Sequence, residues 1–322
     1  MSVLIFVEIS EGKAKPSSLE AVGYGAKVAE QLNVQANALV LGEIDQSELE
    51  NLGGYGATKV LHVNDARLNK GIIQAFANSL GQAVEKENAQ VVVLAKSSLG
   101  DAVAARVAGR LKAGLTSNVV ELPDTSNGFR VKRSIYTGKA FANTDVTSEK
   151  KILAIKKNIF QVEPTEAKAN VEAFEPNLAE ADFGVNITNT EKAATDGVPL
   201  PEADLVVSGG RGLKGPENWG LVEELATILG AATGCSKPVS DLHWRPHHEH
   251  VGQTGVKVSP NLYVAIGISG AIQHLAGVNS SKCIVVINKD PEAPFFQAAD
   301  YGIVGDAFEV VPKLIEAAKA KL

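Results

Sequence analysis

The stretch Leu262-Tyr-Val-Ala-Ile-Gly-Ile-Ser-Gly-Ala-Ile-Gln-His-Leu-Ala-Gly277 joins an apolar run of strand type to a glycine-containing helix start. Free backbone N–H groups and the positive end of the helix dipole meet at such a start, so an anionic or electron-rich group is favoured there. Gly267 and Gly270 would let this group approach the backbone closely. Ser269 and His274 add polar side chains. The stretch therefore predicts a strand, a turn and a helix that bind a cofactor.

The same order of strand and polar loop recurs through the second half of the chain. Apolar runs at Leu205–Val207, Leu262–Ile266, Cys283–Ile287 and Gly302–Val304 each lead into a loop with polar residues. In doubly wound parallel sheets, ligands bind outside the carboxyl ends of the strands. We therefore expect one edge of a parallel sheet to carry the polar residues Arg211, Ser269, Asn288 and Asp306.

The first half of the chain also alternates strand-type and helix-type patterns, which predicts an α/β domain with a parallel sheet and crossover helices. The predicted strands are Val3–Val7, Ala38–Leu41, Lys59–Val63 and Val91–Leu94, and the predicted helices are Ser17–Leu32, Gly71–Lys86 and Asp101–Leu111. In the rest of the first half, after Asn118, helical patterns are absent. We expect three antiparallel strands to close the sheet edge there, at Arg130–Tyr136, Lys139–Val146 and Lys151–Lys156.

An acidic segment rich in proline, Glu163–Pro201, separates the two halves and has no long apolar period. We place the domain boundary in this segment. Residues 1–194 then form an N-terminal α/β domain that contacts a partner subunit, and residues 195–322 form a C-terminal domain with a doubly wound parallel sheet. The segment itself is expected to act as a hinge.

The composition is that of a globular protein with two full cores. The chain has 322 residues, of which 45% are hydrophobic and 21% are charged. A formal net charge of −6, with Lys and Arg spread along the chain, argues against nucleic acid or an anionic membrane surface as a partner. Neither a targeting segment nor a membrane-inserting segment is evident. We expect a cytoplasmic protein, or one of the mitochondrial matrix if a leader has been removed.

Five blocks of the sequence, in order, resemble the α subunit of electron transfer flavoprotein. They are Val206–Leu213, Val251–Gly255, Leu262–Gly277, Ile287–Pro294 and Ala299–Val304, with looser similarity at Val3–Glu8 and Tyr136–Ala140. The resemblance implies a non-covalent FAD in the C-terminal domain and a β subunit that holds AMP. It also implies an electron carrier rather than an enzyme, with acyl-CoA or other dehydrogenases as donors and a membrane quinone oxidoreductase as acceptor.

Carried over residue by residue, the resemblance implies a set of FAD contacts in the C-terminal domain. The set comprises Arg211, Ser236, Lys237, Val251, Gly252, Gln253, Thr254, Ser269, Gly270, Ala271, Ile272, Gln273, His274, Asn288, Asp306 and Ala307. Within it, Thr254 is expected near flavin N5 and His274 near flavin O2. A position at a helix start tends to lower the pKa of a histidine, so a neutral N–H donor would suffice there, although an imidazolium stays open.

Lys237 departs from the family pattern, which has an arginine after the serine at position 236. Lysine keeps the positive charge but loses the planar guanidinium and is more strongly hydrated. FAD binding should survive this change. We expect the change to affect how strongly negative charge on the reduced flavin is stabilised.

The segment Asp241–His250 is rich in histidine, but its spacing matches no standard zinc pattern. We predict a solvated loop without a metal, in which Trp244 packs against the protein. Changes at His247 or His250 are expected to leave FAD retention unaltered. Cys235, one of only two cysteines, is expected to be a buried filler rather than a reactive thiol.

Two alternatives from other functional classes stay open at this point. One is a subunit of a flavoprotein that reacts directly with NADH or a small substrate, including electron-bifurcating relatives with a second flavin in the β subunit. NADH dehydrogenase activity of the heterodimer would support it. The other is a nucleotide-binding sensor module, which would bind its ligand tightly without reversible one-electron reduction.

Overall fold

A computed structural model describes residues 1–189 and 199–321, which form two compact α/β units. The N-terminal unit contains a large sheet that is mostly parallel, and the C-terminal unit contains a smaller parallel sheet. The predicted fold class is thereby confirmed. The boundary predicted between residues 194 and 195 lies outside the described residues.

The N-terminal unit contains eleven strands and four α-helices in its described residues. Its strands are β1 (Ser2–Val7), β2 (Ile9–Ser10), β3 (Lys13–Ala14), β4 (Gln35–Leu41), β5 (Lys59–Val63), β6 (Ala89–Ala95), β7 (Gly114–Val119), β8 (Arg130–Ile135), β9 (Ala140–Asp145), β10 (Lys151–Ile155) and β11 (Asn170–Ala173). Its helices are α1 (Pro16–Leu32), α2 (Gln46–Asn51), α3 (Ile73–Lys86) and α4 (Ser98–Leu111). The main sheet has nine strands in the order β11-β5-β4-β1-β6-β10-β7-β8-β9, and β2 and β3 form a separate hairpin.

Strand β1 lies inside the main sheet, between β4 and β6, and is parallel to both. Its side chains alternate between two apolar cores, with Val3 and Ile5 in one core and Leu4 and Phe6 in the other. Helix α1 contributes to the first core, and helices α3 and α4 to the second. Helices therefore cover both faces of the sheet, which explains why the central strand is apolar throughout.

The prediction that Lys151–Lys156 forms an antiparallel edge strand was wrong. Strand β10 lies between β6 and β7 and is parallel to both. Ile152 and Leu153 point into opposite cores, and a strand that is apolar on both faces belongs in the interior of a parallel sheet. Strand β7 was not predicted. Only β8 and β9 form the antiparallel edge that the sequence indicates.

The first part of the predicted hinge belongs to the N-terminal unit. Strand β11 pairs with β5, and the N–H groups of Thr165 and Ala169 donate to the carbonyls of Gly54 and Glu50, both at 2.9 Å. Further along, the Phe183 ring packs against the second core beneath the Arg67 guanidinium. These contacts fix residues 165–183 on the N-terminal unit, which contradicts a hinge there. Residues 190–198 of the proposed hinge lie outside the described part of the chain.

The C-terminal unit is a five-stranded parallel sheet with helices on both faces. Its strands are β12 (Leu205–Gly209), β13 (Ala232–Cys235), β14 (Leu262–Ile266), β15 (Cys283–Asn288) and β16 (Tyr301–Val304), and its helices are α5 (Gly220–Leu229), α6 (Lys237–Asp241), α7 (Ile272–Val278) and α8 (Ala307–Lys321). The strand order is β13-β12-β14-β15-β16. From β12 the chain first adds β13 on one side and then crosses to add β14 on the other side, so the order reverses between β12 and β14. In such sheets the crevice at this reversal is the usual ligand site. Among the described residues, no helix is long and apolar enough to cross a membrane.

Substitution of Gly53 tests how tightly residues 165–170 pack against the N-terminal unit. A methyl group added at Gly53 would lie 2.2 Å from the backbone nitrogen of Ala169, so Gly53→Ala should destabilise the protein by about 1–3 kcal/mol. The matched control is Gly109→Ala inside α4, where a methyl group would meet no atom within 4 Å. Helix propensity should make this control neutral or slightly stabilising. Urea unfolding of the full chain measures both, and equal midpoints would contradict the prediction.

Candidate cofactor site

The strands of the C-terminal unit bring polar loops to a single edge, as predicted. All four strand pairs are parallel, so the carboxyl ends of the five strands meet at the same edge. The residues that follow these ends, in strand order, are Ser236 and Lys237 after β13, Arg211 after β12, Ser269 after β14, Asn288 at the end of β15, and Asp306 after β16.

The loops at this edge are joined by direct backbone contacts. The Gly212 N–H donates to the Gly267 carbonyl at 3.0 Å, and the Gln253 N–H donates to the Gln273 carbonyl at 2.7 Å. A methyl group added at Gly212 would lie 2.6 Å from the Gly267 Cα. The loop after β12 therefore packs on the loop after β14, and the Val251–Gly255 loop packs on α7.

The glycines in the turn before α7 have a packing role that the sequence did not indicate. Gly267 and Gly270 adopt left-handed φ values of 63° and 82°. The space beside Gly267 is filled by the backbone of Gly212, and a methyl group on Gly270 would lie 2.5 Å from Phe295 Cβ. Packing inside the protein therefore requires both glycines, and their role in the approach of a ligand stays a prediction. Helix α7 begins at Ile272, so the preceding turn lies outside the helix.

His274 is buried in α7 and has one ring nitrogen available. Its Nε2 and the Tyr263 hydroxyl share a hydrogen bond of 2.9 Å, and its ring packs against Phe295. Nδ1 is buried and makes no well-formed hydrogen bond in the described part of the structure. Burial, with a smaller contribution from the nearby His250, lowers the pKa of His274 to about 4, and a backbone hydrogen bond to Val251 partly opposes the shift. This shift favours the neutral ring at pH 7, which is the neutral-donor alternative that the sequence left open.

The direction of the hydrogen bond between Tyr263 and His274 depends on the histidine tautomer. When the Tyr263 hydroxyl donates to Nε2, the His274 proton lies on Nδ1. Burial raises the pKa of Tyr263 well above its usual range, so this hydroxyl keeps its proton and can donate. Nδ1 then carries an N–H group that makes no well-formed hydrogen bond in the described structure, although the Val251 carbonyl lies near the ring. This arrangement gives the site a neutral donor in a dry environment.

The residues of the implied set divide by exposure. Those with exposed side chains are Arg211, Lys237, Gln253, Thr254, Ser269, Ala271, Ile272 and Gln273, and those that are buried are Ser236, Val251, Gly252, Gly270, His274 and Ala307. Among the described residues, neither Arg211 nor Lys237 has an ion-pair partner within 4 Å. Two exposed cations at the edge of a sheet suit a ligand with several negative charges.

Asn288 and Asp306 also hold the site together. Asn288 donates from Nδ2 to the Ile268 carbonyl at 3.0 Å and accepts the Asp290 N–H on Oδ1 at 3.1 Å. Asp306 accepts the Phe308 N–H at 2.9 Å at the start of α8. Both side chains therefore serve the loop structure, and only their remaining hydrogen-bonding capacity is available to a ligand.

Only the end of the histidine-rich segment is buried, so the prediction of a solvated loop holds for residues such as Asp241, His243 and His247 and was wrong for Glu249 and His250. Glu249 and His250 are only 7% and 3% exposed. Arg245 donates to both oxygens of Glu249, at 2.9 and 2.6 Å, and to Glu223 of α5 at 2.8 Å. Trp244 packs against the core, as predicted. Within residues 1–189 and 199–321, no three His, Cys, Asp or Glu side chains are placed to share a metal ion.

Cys235 lies at the end of β13 and is fully buried. Burial raises the pKa of its thiol to about 12, with Glu249 adding to the shift. A thiol that keeps its proton at pH 7 is a poor nucleophile. The prediction of a buried filler is confirmed.

Tyr263 and Phe295 support His274, and the sequence interpretation missed both. Tyr263 lies on β14 within the quoted stretch, and its ring stacks on Phe295 at 6.3 Å between centroids. A polar aromatic residue inside an otherwise aliphatic strand was the available signal, because a buried hydroxyl needs a partner. Phe295 follows the block Ile287–Pro294 and gave no comparable signal.

The depressed pKa of His274 predicts a loss of stability in acid. The unfolded chain takes up this proton first, so the stability is present above the ordinary value of 6.5 and is lost as the pH falls towards 4. The free energy of unfolding should fall by up to about 1.4 kcal/mol per pH unit in this window. His274→Gln should remove that slope. His243→Asn is the control, since His243 is exposed at a left-handed φ of 57° that asparagine tolerates. Denaturant unfolding at several pH values measures how the free energy of unfolding depends on pH. An equal dependence in all three proteins would contradict the prediction.

Two family models match the chain, one in each unit. The model described as the electron transfer flavoprotein domain matches residues 3–179, and the model described as the electron transfer flavoprotein FAD-binding domain matches residues 199–279. The second match begins ahead of β12 and ends after α7. It therefore contains the loops of Arg211, Lys237, Thr254 and Ser269.

Proteins of this family are similar to the chain over nearly its whole length. The electron transfer flavoprotein subunit alpha of Bacillus subtilis (strain 168) is 38% identical over 316 residues, which cover 98% of this chain and 96% of that protein. The same subunit of Thermoanaerobacterium thermosaccharolyticum is 35% identical over 323 residues, which cover 98% and 97%. Protein FixB of Clostridium saccharobutylicum is 34% identical over 321 residues, which cover 98% and 96%. The chain therefore belongs to the α-subunit family of electron transfer flavoproteins.

Proposed function

We propose that this chain is the FAD-carrying α subunit of a heterodimeric electron carrier. The observation that carries the proposal is the neutral, buried His274, whose Nδ1 lacks a well-formed partner at the same sheet edge as the exposed cations Arg211 and Lys237. A flavin ring needs a hydrogen-bond donor beside its N1–C2=O side, and the pyrophosphate of FAD needs cations and hydroxyls. The residues at this edge fit both requirements.

Each residue of the set has a task that follows from its position. Arg211 and the Ser269 hydroxyl are exposed on neighbouring loops at the crevice and would bind the pyrophosphate, with Ser236 and Asn288 beside them. Asp306 suits a ribose hydroxyl. The apolar Ile272 is 61% exposed, and a flat ring that covered it would remove that apolar surface from water.

When bound, FAD supplies the reversible uptake and release of electrons that side chains lack. The chain supplies the electrostatics. His274 would hold the N1–C2=O side of a bound flavin, and a donor already oriented there would favour negative charge on that side of the ring. The hydrogen bond to Tyr263 and the packing on Phe295 hold the His274 ring in place before any charge develops. Thr254 is assigned to the N5 side.

The wider role is that of a carrier rather than a substrate-converting enzyme. Electrons would enter from dehydrogenases, typically those that oxidise acyl-CoA in fatty acid β-oxidation, and leave to a membrane quinone oxidoreductase. A β subunit that holds AMP would complete the heterodimer, and the complex would work in the cytoplasm. Family membership and the placement of exposed cations around a dry donor support this proposal.

Lys237 provides the first test, because it replaces the family arginine. It is exposed at the first position of α6, where its charge would favour negative charge on the flavin. A cation a few ångströms away stabilises a new negative charge by roughly 1–3 kcal/mol at an intermediate dielectric constant. Since 1.4 kcal/mol corresponds to about 59 mV for one electron, Lys237→Gln should lower the first flavin potential by tens of millivolts, up to ~130 mV.

Lys237→Arg is the matched control, because it keeps the charge and should hold or raise that potential. Spectroelectrochemical titration of the three heterodimers measures the effect. An unchanged potential in the glutamine variant would show that Lys237 points into solvent, and Arg211 would then be the cation to test.

The N-terminal unit provides a second test, which concerns its interface with the partner subunit. The hairpin of β8 and β9 exposes Tyr136 by 77% and Phe141 by 58%, with the Lys132 ammonium 5.0 Å from the Phe141 ring centroid. We assign this aromatic surface to the interface with the β subunit. Phe141→Asp should weaken association at least about tenfold, because aromatic residues dominate interface energies.

Val185→Asp is the matched control, since Val185 is an apolar residue of the same unit that is 65% exposed. Co-expression with the β subunit, followed by sedimentation and a flavin absorption spectrum, measures both association and FAD content. A heterodimer that forms equally well with either variant would remove the hairpin from the interface. A wild-type complex without flavin would overturn the proposed function.

A further inference from the structure

His250 lies under the loop that carries Gln253 and Thr254. Its backbone pairs with Cys235 at the end of β13, and its carbonyl accepts the Val256 N–H at 2.7 Å. The chain between them forms a tight turn, in which the Gly255 N–H donates to the Gly252 carbonyl at 3.2 Å. His250 therefore anchors both ends of this turn.

The His250 ring fills the space that the turn encloses. A methyl group added at Gly255 would lie 2.7 Å from Nδ1, and one added at Gly252 would lie 3.3 Å from Nε2. On the other side of the turn, a methyl group at Gly277 of α7 would lie 2.5 Å from the Gly252 Cα. Gly252 is thus held between the imidazole of His250 and the backbone of α7. Nδ1 of His250 is buried and makes no hydrogen bond in the described structure.

The charges around His250 disfavour a positive charge on its ring. Lys237 and Asp241 of α6 face it with opposite charges, the His247 ring lies 5.4 Å from it between centroids, and His274 of α7 lies beyond the turn. Burial lowers the pKa of His250, His247 and Lys237 lower it further, and Asp241 opposes them only in part. No carboxylate of the described residues lies within ion-pair distance of the ring.

We infer that the neutral His250 imidazole is a positioning residue that holds the Gly252–Gly255 turn against α7, and that protonation of this ring loosens the turn and releases FAD. A protonated ring carries an N–H group on both nitrogens, and the buried Nδ1 has no acceptor in the described structure, so movement towards water would stabilise the charged ring. The turn packs directly on the ring and moves with it. This inference rests on the proposed placement of FAD at the loop of Thr254, and it reverses the expectation that changes at His250 leave FAD retention unaltered.

Fluorescence titration of the purified heterodimer with FAD tests the inference at about pH 7.5 and about pH 5.5. The wild-type dissociation constant should rise roughly three- to tenfold at the lower pH, since one linked proton changes affinity at most about tenfold per pH unit. His250→Gln retains a polar side chain that cannot titrate. The dissociation constant of this variant for FAD should therefore change less than about twofold between the two pH values. His250→Ala should lose affinity at both pH values because it empties the enclosure. The exposed-residue variant His243→Asn should follow the wild type.

Nitrogen NMR of the histidine rings in the wild-type heterodimer supplies a measurement that needs no variant. His250 should stay neutral at about pH 6.5, where an exposed histidine is half protonated. A protonated His250 at that pH, or a glutamine variant with the wild-type pH dependence, would overturn the inference while FAD binding stands. A wild-type heterodimer that binds no FAD at either pH would instead overturn the proposed function, and the inference with it.

Discussion

The close backbone contact between Gly212 and Gly267 fixes the geometry of the cofactor edge. It brings the loop after β12 onto the loop after β14, with a hydrogen bond of 3.0 Å and no room for a side chain at either glycine. A second glycine contact, between Gly252 and Gly277, places the Thr254 loop on α7 in the same way. Arg211, Thr254 and Ser269 each lie on one of these joined loops, and His274 lies on α7. Their positions therefore depend on closely packed backbone atoms.

Charge and burial are separated across the site. The cations Arg211 and Lys237 are exposed, where water limits the cost of holding them without partners. The imidazoles of His250 and His274 are buried and neutral, so neither carries an uncompensated charge in a dry environment. A ligand that is anionic at one end and a neutral aromatic ring at the other matches this separation. FAD has that distribution, with its pyrophosphate at a distance from the isoalloxazine ring.

The sequence predicted the features that depend on local pattern. Alternating strands and helices gave the fold class, and parallel pairing then placed residues as distant as Arg211 and Asp306 on one edge. The neighbours of β10 could not be predicted in this way, because its apolar pattern indicates the interior of a parallel sheet but not the strands between which it lies. The burial of His250 escaped prediction for another reason. A run of polar residues usually indicates solvent, and only the ion pair between Arg245 and Glu249 shows that this segment turns into the core.

The strand order of the N-terminal sheet has a consequence for biosynthesis. Strand β10 enters between β6 and β7, and β11 then pairs with β5 at the opposite edge from β9. A chain emerging from the ribosome therefore presents β6 and β7 with an open gap until residue 155 has appeared, and an uncovered β5 until residue 173. Unpaired strand edges recruit other strands, and non-local pairing is slow. The strand order therefore predicts that nascent chains expose unpaired strand edges until residue 173 has been synthesised, and such edges favour pairing with other chains.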